Sequence, residues 1–286
     1  MITSIYRKII KQFYGTGLSK IDLIRNTNNK ILNHMQVKQI NVFGYKLILD
    51  KFDTNGYSLM KVNKNNELDI IKYIIKEGDI VIDVGANIGF FTLFFRSLVG
   101  NTGKIIAFEP EKNNFDILKK NIEINNLQNI EIHNLGLGSE NKNLRMLLSE
   151  NVGEHRIYNE NSSKSSSNSD IINENTKFTD VKVVRLDDYV KTANFIKFDA
   201  EGYEIEILRG MPNLLKQNIT IFSDFYVKLL KKHDDPNDFF EILLKNNFEF
   251  FNVRKNLERI DRTKIFDQYN ENTGATDVLC KKSQNV

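Results

Sequence analysis

The sequence contains very little cysteine, and this limits what the chain can be. Cys280 is the single cysteine among 286 residues, so no disulfide can form within the chain. A reducing compartment such as the cytoplasm therefore suits the sequence. Because the thiol lies in an apolar run, "TDVLCKK", we expect it to fill space in the core rather than to act as a nucleophile.

The sequence also lacks long apolar runs and a strong excess of either charge. No stretch approaches the ~20 apolar residues that a membrane-spanning helix needs. The chain has 40 basic and 37 acidic residues, for a formal net charge of +3, which gives no reason to expect a nucleic-acid partner. Hydrophobic residues make up 41% of the chain, which is enough for a sizeable core. A globular domain is therefore predicted.

The first fourteen residues have the apolar periodicity of a helix. Ile2, Ile5 and Ile9 would share one face, and the basic residues between them make a poor secretory signal. Two interpretations stay open: the helix packs on the domain, or it lies as a peripheral contact on the anionic inner face of a membrane.

Residues 1–66 are predicted to form an N-terminal extension of an amphipathic helix and short strands. Residues 67–286 are predicted to form the main domain. Within it, residues 159–178 are rich in serine and have no apolar period, which indicates a polar loop.

From Ile80 onward, predicted strands and helices alternate. "IVIDV", "KIIAFE" and "NFIKFDAEG" read as buried strands, and helical patterns follow each of them. This alternation predicts a doubly wound α/β fold with a mostly parallel sheet. Ligands of such sheets bind at the carboxyl ends of the strands, so residues that follow strands are the candidates for a site.

The turn after the first of these strands, "VIDVGANIGFFT", is built for a ligand. Gly85 allows a positive φ or a close approach of the backbone, and Gly89 begins the next helix, whose free amides favour an anionic group. Glu109 lies twenty residues further on, at the end of the next strand, where an acid can accept both hydroxyls of a ribose. Together they predict an adenosine-containing cofactor.

Two residues of the turn favour S-adenosylmethionine over NAD. Asn87 stands where the dinucleotide pattern has its second glycine, which serves the close approach of a pyrophosphate. The carboxylate of Asp83 would repel a pyrophosphate but favours an amino group or a sulfonium. An NAD-binding oxidoreductase stays open as the alternative.

Two blocks of the sequence resemble the FkbM-type S-adenosylmethionine-dependent methyltransferases. They are "GDIVIDVGANIGFFTLFFRSLVGNTGKIIAFEPEKNNFDILKKNIEINN" and "VVRLDDYV…NFIKFDAEGYEIEILRGMPNLL", which together run from about Gly78 to Ile221. The resemblance implies a class I methyltransferase, Rossmann-like, with a doubly wound sheet of about seven strands whose last strand is antiparallel. It also implies methylation of hydroxyl oxygens, often those of sugars or similar metabolites.

The resemblance assigns cofactor contacts residue by residue. The glycine motif would hold the methionine part, the acid after the second strand the ribose, the end of the third strand the adenine, and the "DAEG" element the region of the transferable methyl. The implied cofactor-binding residues are Asp83, Gly85, Ala86, Asn87, Gly89, Glu109, Pro110, Asn134, Leu135, Gly136 and Asp199.

Methyl transfer to an alcohol needs a group that accepts the hydroxyl proton. Asp199, Glu201 and His155 are the candidate catalytic residues. His155 is favoured, because the two carboxylates would also serve the ammonium group of the cofactor. Residues predicted to contact the acceptor are Arg156, as a grip for an anionic group, with Tyr158, Asp224 and His233.

Other chemistries have less support in the sequence. No histidine or cysteine cluster has the spacing of metal ligands, so no metal is predicted. The "DAEG" element differs from the Asp/Asn-Pro-Pro-aromatic motif of nucleic-acid amino methylases. N-methylation of an amino sugar stays open as a second activity, and so does an inactive methyltransferase fold that only binds ligands.

Overall fold

The structure is a computed structural model that describes residues 38–50, 65–149, 155–158, 176–253, 257–261 and 276–283. The predicted helix at residues 1–14 and residues 159–175 of the predicted polar loop lie outside the described residues. The membrane contact, the loop over residues 159–175 and the division at residues 66 and 67 stay predictions.

The described chain forms fourteen strands and seven α-helices. The strands are β1 Gln39–Val42, β2 Tyr45–Ile48, β3 Ile80–Val84, β4 Lys104–Phe108, β5 Ile130–His133, β6 Gly136–Leu137, β7 Lys142–Leu148, β8 Arg156–Ile157, β9 Lys177–Val184, β10 Phe195–Phe198, β11 Thr220–Phe225, β12 Phe248–Asn252, β13 Glu258–Arg259 and β14 Thr276–Lys282. The helices are α1 Asn65–Ile74, α2 Phe90–Val99, α3 Lys112–Glu123, α4 Leu186–Tyr189, α5 Glu204–Arg209, α6 Val227–Leu230 and α7 Asn237–Lys245.

The central sheet has the order β13-β12-β14-β11-β10-β3-β4-β5. Neighbours from β11 through β10, β3 and β4 to β5 pair in parallel, whereas β14 is antiparallel to both β11 and β12. The predicted class I sheet with an antiparallel last strand is confirmed, with two-residue β13 as an additional edge. Because the strand order reverses between β3 and β10, their carboxyl ends open a crevice there.

Helices cover both faces of this sheet. Ile82 and Val84 pack into a core shared with α5 and α7, whereas Val81, which points to the opposite face, packs with α1 and α2. Strands buried on both faces explain the near-continuous apolar runs that the sequence shows. A charged residue within such a strand is therefore unusual.

The hairpin of β1 and β2 is fastened to α3 by two asparagines. The side chain of Asn121 accepts a hydrogen bond from the amide of Ile48 (2.6 Å) and donates to the carbonyls of Ile48 (3.1 Å) and Ile88 (2.7 Å). Asn125 pairs in the same manner with the backbone of Lys46 (2.9 and 2.7 Å). The hairpin is therefore held against the domain at the turn that leads into α2.

A second sheet, with the order β6-β9-β7-β8, was only partly anticipated. The sequence predicts a strand at "VKVVRL", but β9 already begins at Lys177, inside the range predicted as a polar loop. The prediction is wrong for Lys177 and Phe178, because both pair with β7. This sheet brings the short strand β8 beside the crevice.

Candidate cofactor and acceptor site

A cavity of about 340 Å³ lies at the carboxyl ends of β3, β4 and β10. This volume is at the lower end of the range for small-molecule sites. The predicted residues that line it are Gly85, Ala86, Asn87, Glu109, Pro110, Leu135, Gly136, His155, Arg156, Asp199, Glu201 and Asp224. The predicted residues outside the lining are Asp83, Gly89, Asn134, Tyr158 and His233.

Gly85 turns the chain from β3 toward the cavity. Its φ is 75°, and a Cβ at this position would lie 1.9 Å from the carbonyl oxygen of Asp199. Glycine is thus required by the passage of β10 as well as by the positive φ. The close approach inferred from the sequence exists, and its partner is the protein's own backbone.

Gly89 and Asp83 join the turn to the neighbouring helices. A Cβ on Gly89 would meet Leu118 of α3 at 2.7 Å, so this glycine serves helix packing rather than contact with the sheet. The buried carboxylate of Asp83 accepts a hydrogen bond from the hydroxyl of Thr92 (2.6 Å), which ties β3 to α2. Its other oxygen, Oδ1, is buried and has no hydrogen-bond partner among the described residues.

Glu109 connects the turn after β3 with the turn after β4. Its Oε2 accepts a hydrogen bond from the amide of Asn87 and its Oε1 accepts one from the amide of Glu111, both at 2.8 Å. Burial raises the pKa of this carboxyl to about 8 against the opposing effect of both amides. Each oxygen retains a lone pair, so the carboxylate can hold the turn and still accept hydroxyls from the cavity.

Asn134 acts one step away from the cavity. Its amide donates to the carbonyls of Glu109 (2.9 Å) and Pro110 (3.0 Å), which joins the ends of β5 and β4. Leu135 and Gly136, which follow it, line the cavity. Asn134 therefore shapes the predicted adenine edge, while its neighbours face the space.

The turn after β10 presents one acid, Glu201, under backbone strain. Glu201 has a φ of 52° and Gly202 a φ of 100°, and a positive φ is uncommon for a glutamate. Buried Glu204 stabilises the turn by accepting hydrogen bonds from the amides of Ala200 (3.0 Å) and Gly202 (3.4 Å). Strain of this kind is typical of functional sites.

Asp224, at the end of β11, has the proton affinity of a general base. Burial, together with the nearby charges of Asp199, Asp277 and Glu204, raises the pKa of its carboxyl to about 7 against the opposing effect of Lys197. A base with a pKa near the working pH is the most effective. The sequence suggested Asp224 only as an acceptor contact, since burial of a residue near a strand end is not visible in the sequence.

His155 belongs to the wall that the second sheet adds to the cavity. Its Nδ1 accepts a hydrogen bond from the amide of Ser149 (3.1 Å), and burial lowers the pKa of the ring against the influence of Glu111. The neutral ring therefore carries its proton on Nε2, where it is a donor. For His155 to act as a base in this arrangement, the contact with Ser149 must first break.

Two predicted acceptor contacts pack behind the cavity wall. The ring of Tyr158 contacts Phe178 at a centroid distance of 5.0 Å, and the ring of His233 contacts Tyr203 at 5.1 Å. Tyr203 itself lines the cavity. Tyr158 and His233 thus support lining elements in this structure.

Sequence reasoning did not assign Lys197 or the apolar lining. Lys197 lies in the middle of β10 and is only 3% exposed, and its Nζ donates to Oδ2 of Asp199 at 2.8 Å. A lysine within a fully buried parallel strand was the available signal. The apolar side chains that line the cavity include Phe90, Phe91, Met146, Ile157 and Tyr203.

Two further properties concern only the described part of the chain. There, no three histidine, cysteine, aspartate or glutamate residues are arranged to hold a metal ion. None of the helices there is long and apolar enough to cross a membrane.

The sequence matches the family model for the Methyltransferase FkbM domain over residues 83–260, more than half of the chain. The chain belongs to the FkbM methyltransferase family. The family predicted from the sequence is thereby confirmed, and with it a methyltransferase enzyme whose cofactor is S-adenosylmethionine. A model for protein-L-isoaspartate(D-aspartate) O-methyltransferase also matches, over residues 7–140.

Curated relatives of this FkbM methyltransferase include proteins from a fungus and an archaeon. Methyltransferase 1 of Beauveria bassiana is 30% identical over 46% of the chain, which spans 57% of that protein's length. Hexuronic acid methyltransferase AglP of Haloferax volcanii is 26% identical over 62% of the chain and 67% of its own length.

Solved structures resemble the chain only loosely. An FkbM methyltransferase from Methylobacillus flagellatus is 13% identical with a TM-score of 0.45, over 91% of this chain and 60% of that one. An S-adenosylmethionine-dependent O-methyltransferase from Thermotoga maritima is 13% identical with a TM-score of 0.43, over 87% and 78%. Membership of the family therefore rests on the family model, and the strand order shows the fold.

The residues of the site fit the cofactor of the family. The buried Oδ1 of Asp83 has no hydrogen-bond partner among the described residues, and it lies beneath a turn whose backbone approaches β10 closely. A carboxylate at this place favours a cation in the cavity above it. Glu109 has lone pairs left for hydroxyl groups, and the apolar side chains of the lining can cover the remaining surface.

Proposed function

We propose that the chain is an S-adenosylmethionine-dependent O-methyltransferase that acts on a hydroxyl of a sugar, glycolipid or similar hydroxylated metabolite. The observation that carries the proposal is the composition of the cavity at the strand ends. Glu109 and Asp199 line it at the strand ends, whereas His155 and Arg156 line it from the added sheet. The first pair suits the cofactor and the second suits an acceptor.

The chain's own residues would bind and orient the cofactor as follows. Glu109 accepts the ribose hydroxyls, and the negative charges of Asp83 and Asp199 favour the ammonium group. When bound, the cofactor supplies an activated methyl group on a sulfonium. The apolar lining, with Phe91 and Met146, excludes water, and the walls hold the acceptor in line with that methyl group.

We further propose that Asp224 accepts the proton of the acceptor hydroxyl. The pKa of its carboxyl, raised by burial to about 7, lets it take a proton near neutral pH. Asp199 is engaged by Lys197, and the Nδ1 of His155 by Ser149. Glu201 stays the second candidate, since it also lines the cavity.

An acceptor with an anionic group near the methylated hydroxyl suits the added wall. Arg156 offers a fixed positive charge there and His155 a neutral N–H donor, and both groups recognise carboxylates. The relative AglP carries the name of a hexuronic acid methyltransferase, which is consistent with this chemistry. Uronic acids are therefore the first acceptors to test.

The test is transfer of a labelled methyl group from S-adenosylmethionine to a panel of uronic acids, neutral sugars and amino sugars. We expect labelled methyl ethers from the uronic acids, with a smaller KM than for the neutral sugars. Arg156→Gln should remove that difference. Label on the nitrogen of amino sugars would support the N-methyltransferase alternative, and no transfer to any hydroxyl would contradict the proposal.

A further inference from the structure

Lys197 is a buried positive charge directly behind the cavity. It lies in β10, in register with Asp83 of β3, and its side chain is 4% exposed. Burying a lysine costs free energy unless the ammonium is paired. A strand of this kind ordinarily takes an apolar residue at such a position, so the lysine calls for a specific reason.

The charged groups that act on the ammonium of Lys197 are the acids Asp199, Asp83 and Glu67. Its Nζ donates to Oδ2 of Asp199 at 2.8 Å and lies 4.4 Å from the ring centroid of Phe91 in α2. Burial acts to lower the pKa of this ammonium, but Asp199, Asp83 and Glu67 outweigh it and raise the pKa. Lys197 is therefore charged at any working pH.

Lys197 also acts on the charge of its neighbours. Burial raises the pKa of Asp83 to about 6, and Asp199 also acts to raise it. Lys197 and the hydrogen bond from Thr92 act to lower it. Lys197 likewise opposes the raised pKa of Asp224 on the adjacent strand β11. Without Lys197, carboxylates from β3, β10 and β11 would repel each other with no cation among them.

We infer that Lys197 is a positioning residue for cofactor binding: its ammonium fixes the carboxylate of Asp199 at the cavity and places a positive charge beside Asp83 of the neighbouring strand. The inference rests on the proposed function, because it concerns recognition of the cofactor's ammonium. Phe91 links Lys197 to the cavity, because Phe91 lines the cavity and the ammonium of Lys197 lies over its ring. Lys197 itself does not line the cavity.

The experiment is a calorimetric titration of the full chain with S-adenosylhomocysteine between about pH 5.5 and 8.5. Lys197→Met keeps the length of the side chain and removes the charge, and Lys197→Arg keeps the charge. We expect Lys197→Met to bind at least about tenfold more weakly at pH 7, the effect of about one pKa unit. Its affinity should also begin to fall at a higher pH than in the wild type. Lys197→Arg should stay within about threefold of the wild type.

A second readout separates positioning from structural support. Removing one partner of a buried ion pair is itself destabilising, so Lys197→Met should also unfold at a lower temperature than the wild type. The readout that separates the two roles is therefore the pH dependence of the affinity in the folded variant, which a purely structural role of Lys197 would leave unchanged. Wild-type affinity and pH dependence in Lys197→Met would overturn the inference. If Lys197→Met does not fold, Lys197→Arg decides: a folded variant with wild-type affinity supports the inference, and one with lost affinity overturns it. Absence of binding by the wild type would instead contradict the proposed function.

Discussion

At the scale of single residues, Glu109 holds the glycine turn and faces the cavity with one carboxylate. Glu109→Ala removes both acceptors of the amides of Asn87 and Glu111 and the proposed acceptors of the ribose hydroxyls. We expect the affinity for S-adenosylhomocysteine to fall by on the order of 2–4 kcal/mol. Glu131→Gln, at an acid on β5 whose side chain is 43% exposed, is the control and should bind as the wild type does. Equal affinities of the two variants would contradict the role given to Glu109.

The assignment of the base is tested by three substitutions measured together. Asp224→Asn should lower kcat by about 10²–10⁴, the usual range for a lost general base, with little change in cofactor affinity. His155→Ala should mainly raise the KM for the acceptor, because its ring presents a donor. The pH–rate profile of the wild type should rise near pH 7, following the carboxyl of Asp224. A loss of kcat confined to Glu201→Gln or His155→Ala would move the role to that residue.

Residue types at turns could be read from the sequence, whereas buried neighbours could not. At Gly85 the sequence predicted a positive φ or a close approach of the backbone, and the positive φ is present, since the local backbone decides it. Its contact with the carbonyl of Asp199 depends on two strands more than a hundred residues apart. Lys197 was overlooked because a charge in an apolar run is explained only when the partner strand, with Asp83, is known.

At the scale of elements, Asn121 of α3 fastens the β1–β2 hairpin. Asn121→Ala leaves the partly buried amide of Ile48 and the buried carbonyl of Ile88 without this partner. We expect a loss of about 2–3 kcal/mol in the free energy of unfolding, the cost of buried groups left unsatisfied. Lys119→Ala, at a position 60% exposed on the same helix, should change it by less than about 0.5 kcal/mol. Chemical denaturation measures both, and similar values would contradict the clamp.

The alternating core was predictable at this scale, and the second sheet was not. Each β–α unit is recognisable in the sequence because the spacing of apolar residues changes within a few residues from that of a strand to that of a helix. By contrast, the paired residues of β7 and β9 are about thirty to forty positions apart in the chain, and β8 contributes only Arg156 and Ile157. Pairing between such distant and short segments leaves no periodic signal, so the acceptor wall was recognised only from its polar residues.

At the scale of the whole molecule, the acids around the cavity should give the free protein an unusual dependence on pH. Four buried carboxyl groups have raised pKa values: Asp83 about 6, Glu204 about 7, Asp224 about 7 and Glu109 about 8, all mainly through burial. They bind protons in the folded state at pH values where the unfolded chain has released them. Their contribution to stability is therefore complete below the unfolded values near pH 4 and is lost as the pH rises through 6 to 8.

The melting temperature of the ligand-free protein should accordingly fall between about pH 5 and pH 8. Asp224→Asn, which removes one of the four titrating groups, should show a smaller fall. Thermal unfolding followed by circular dichroism measures both proteins. A melting temperature that rises over this interval, or an identical fall in the variant, would contradict the charge states assigned to the cluster.

The central claim is that the cavity binds S-adenosylmethionine, and calorimetric titration of the full chain tests it most directly. S-adenosylhomocysteine, the demethylated product, should bind with one site per chain near neutral pH. NAD should not compete with it, because Asn87 and Asp83 disfavour a pyrophosphate at the turn. Binding of NAD in place of S-adenosylhomocysteine, or no binding of S-adenosylhomocysteine by the folded chain, would contradict the account.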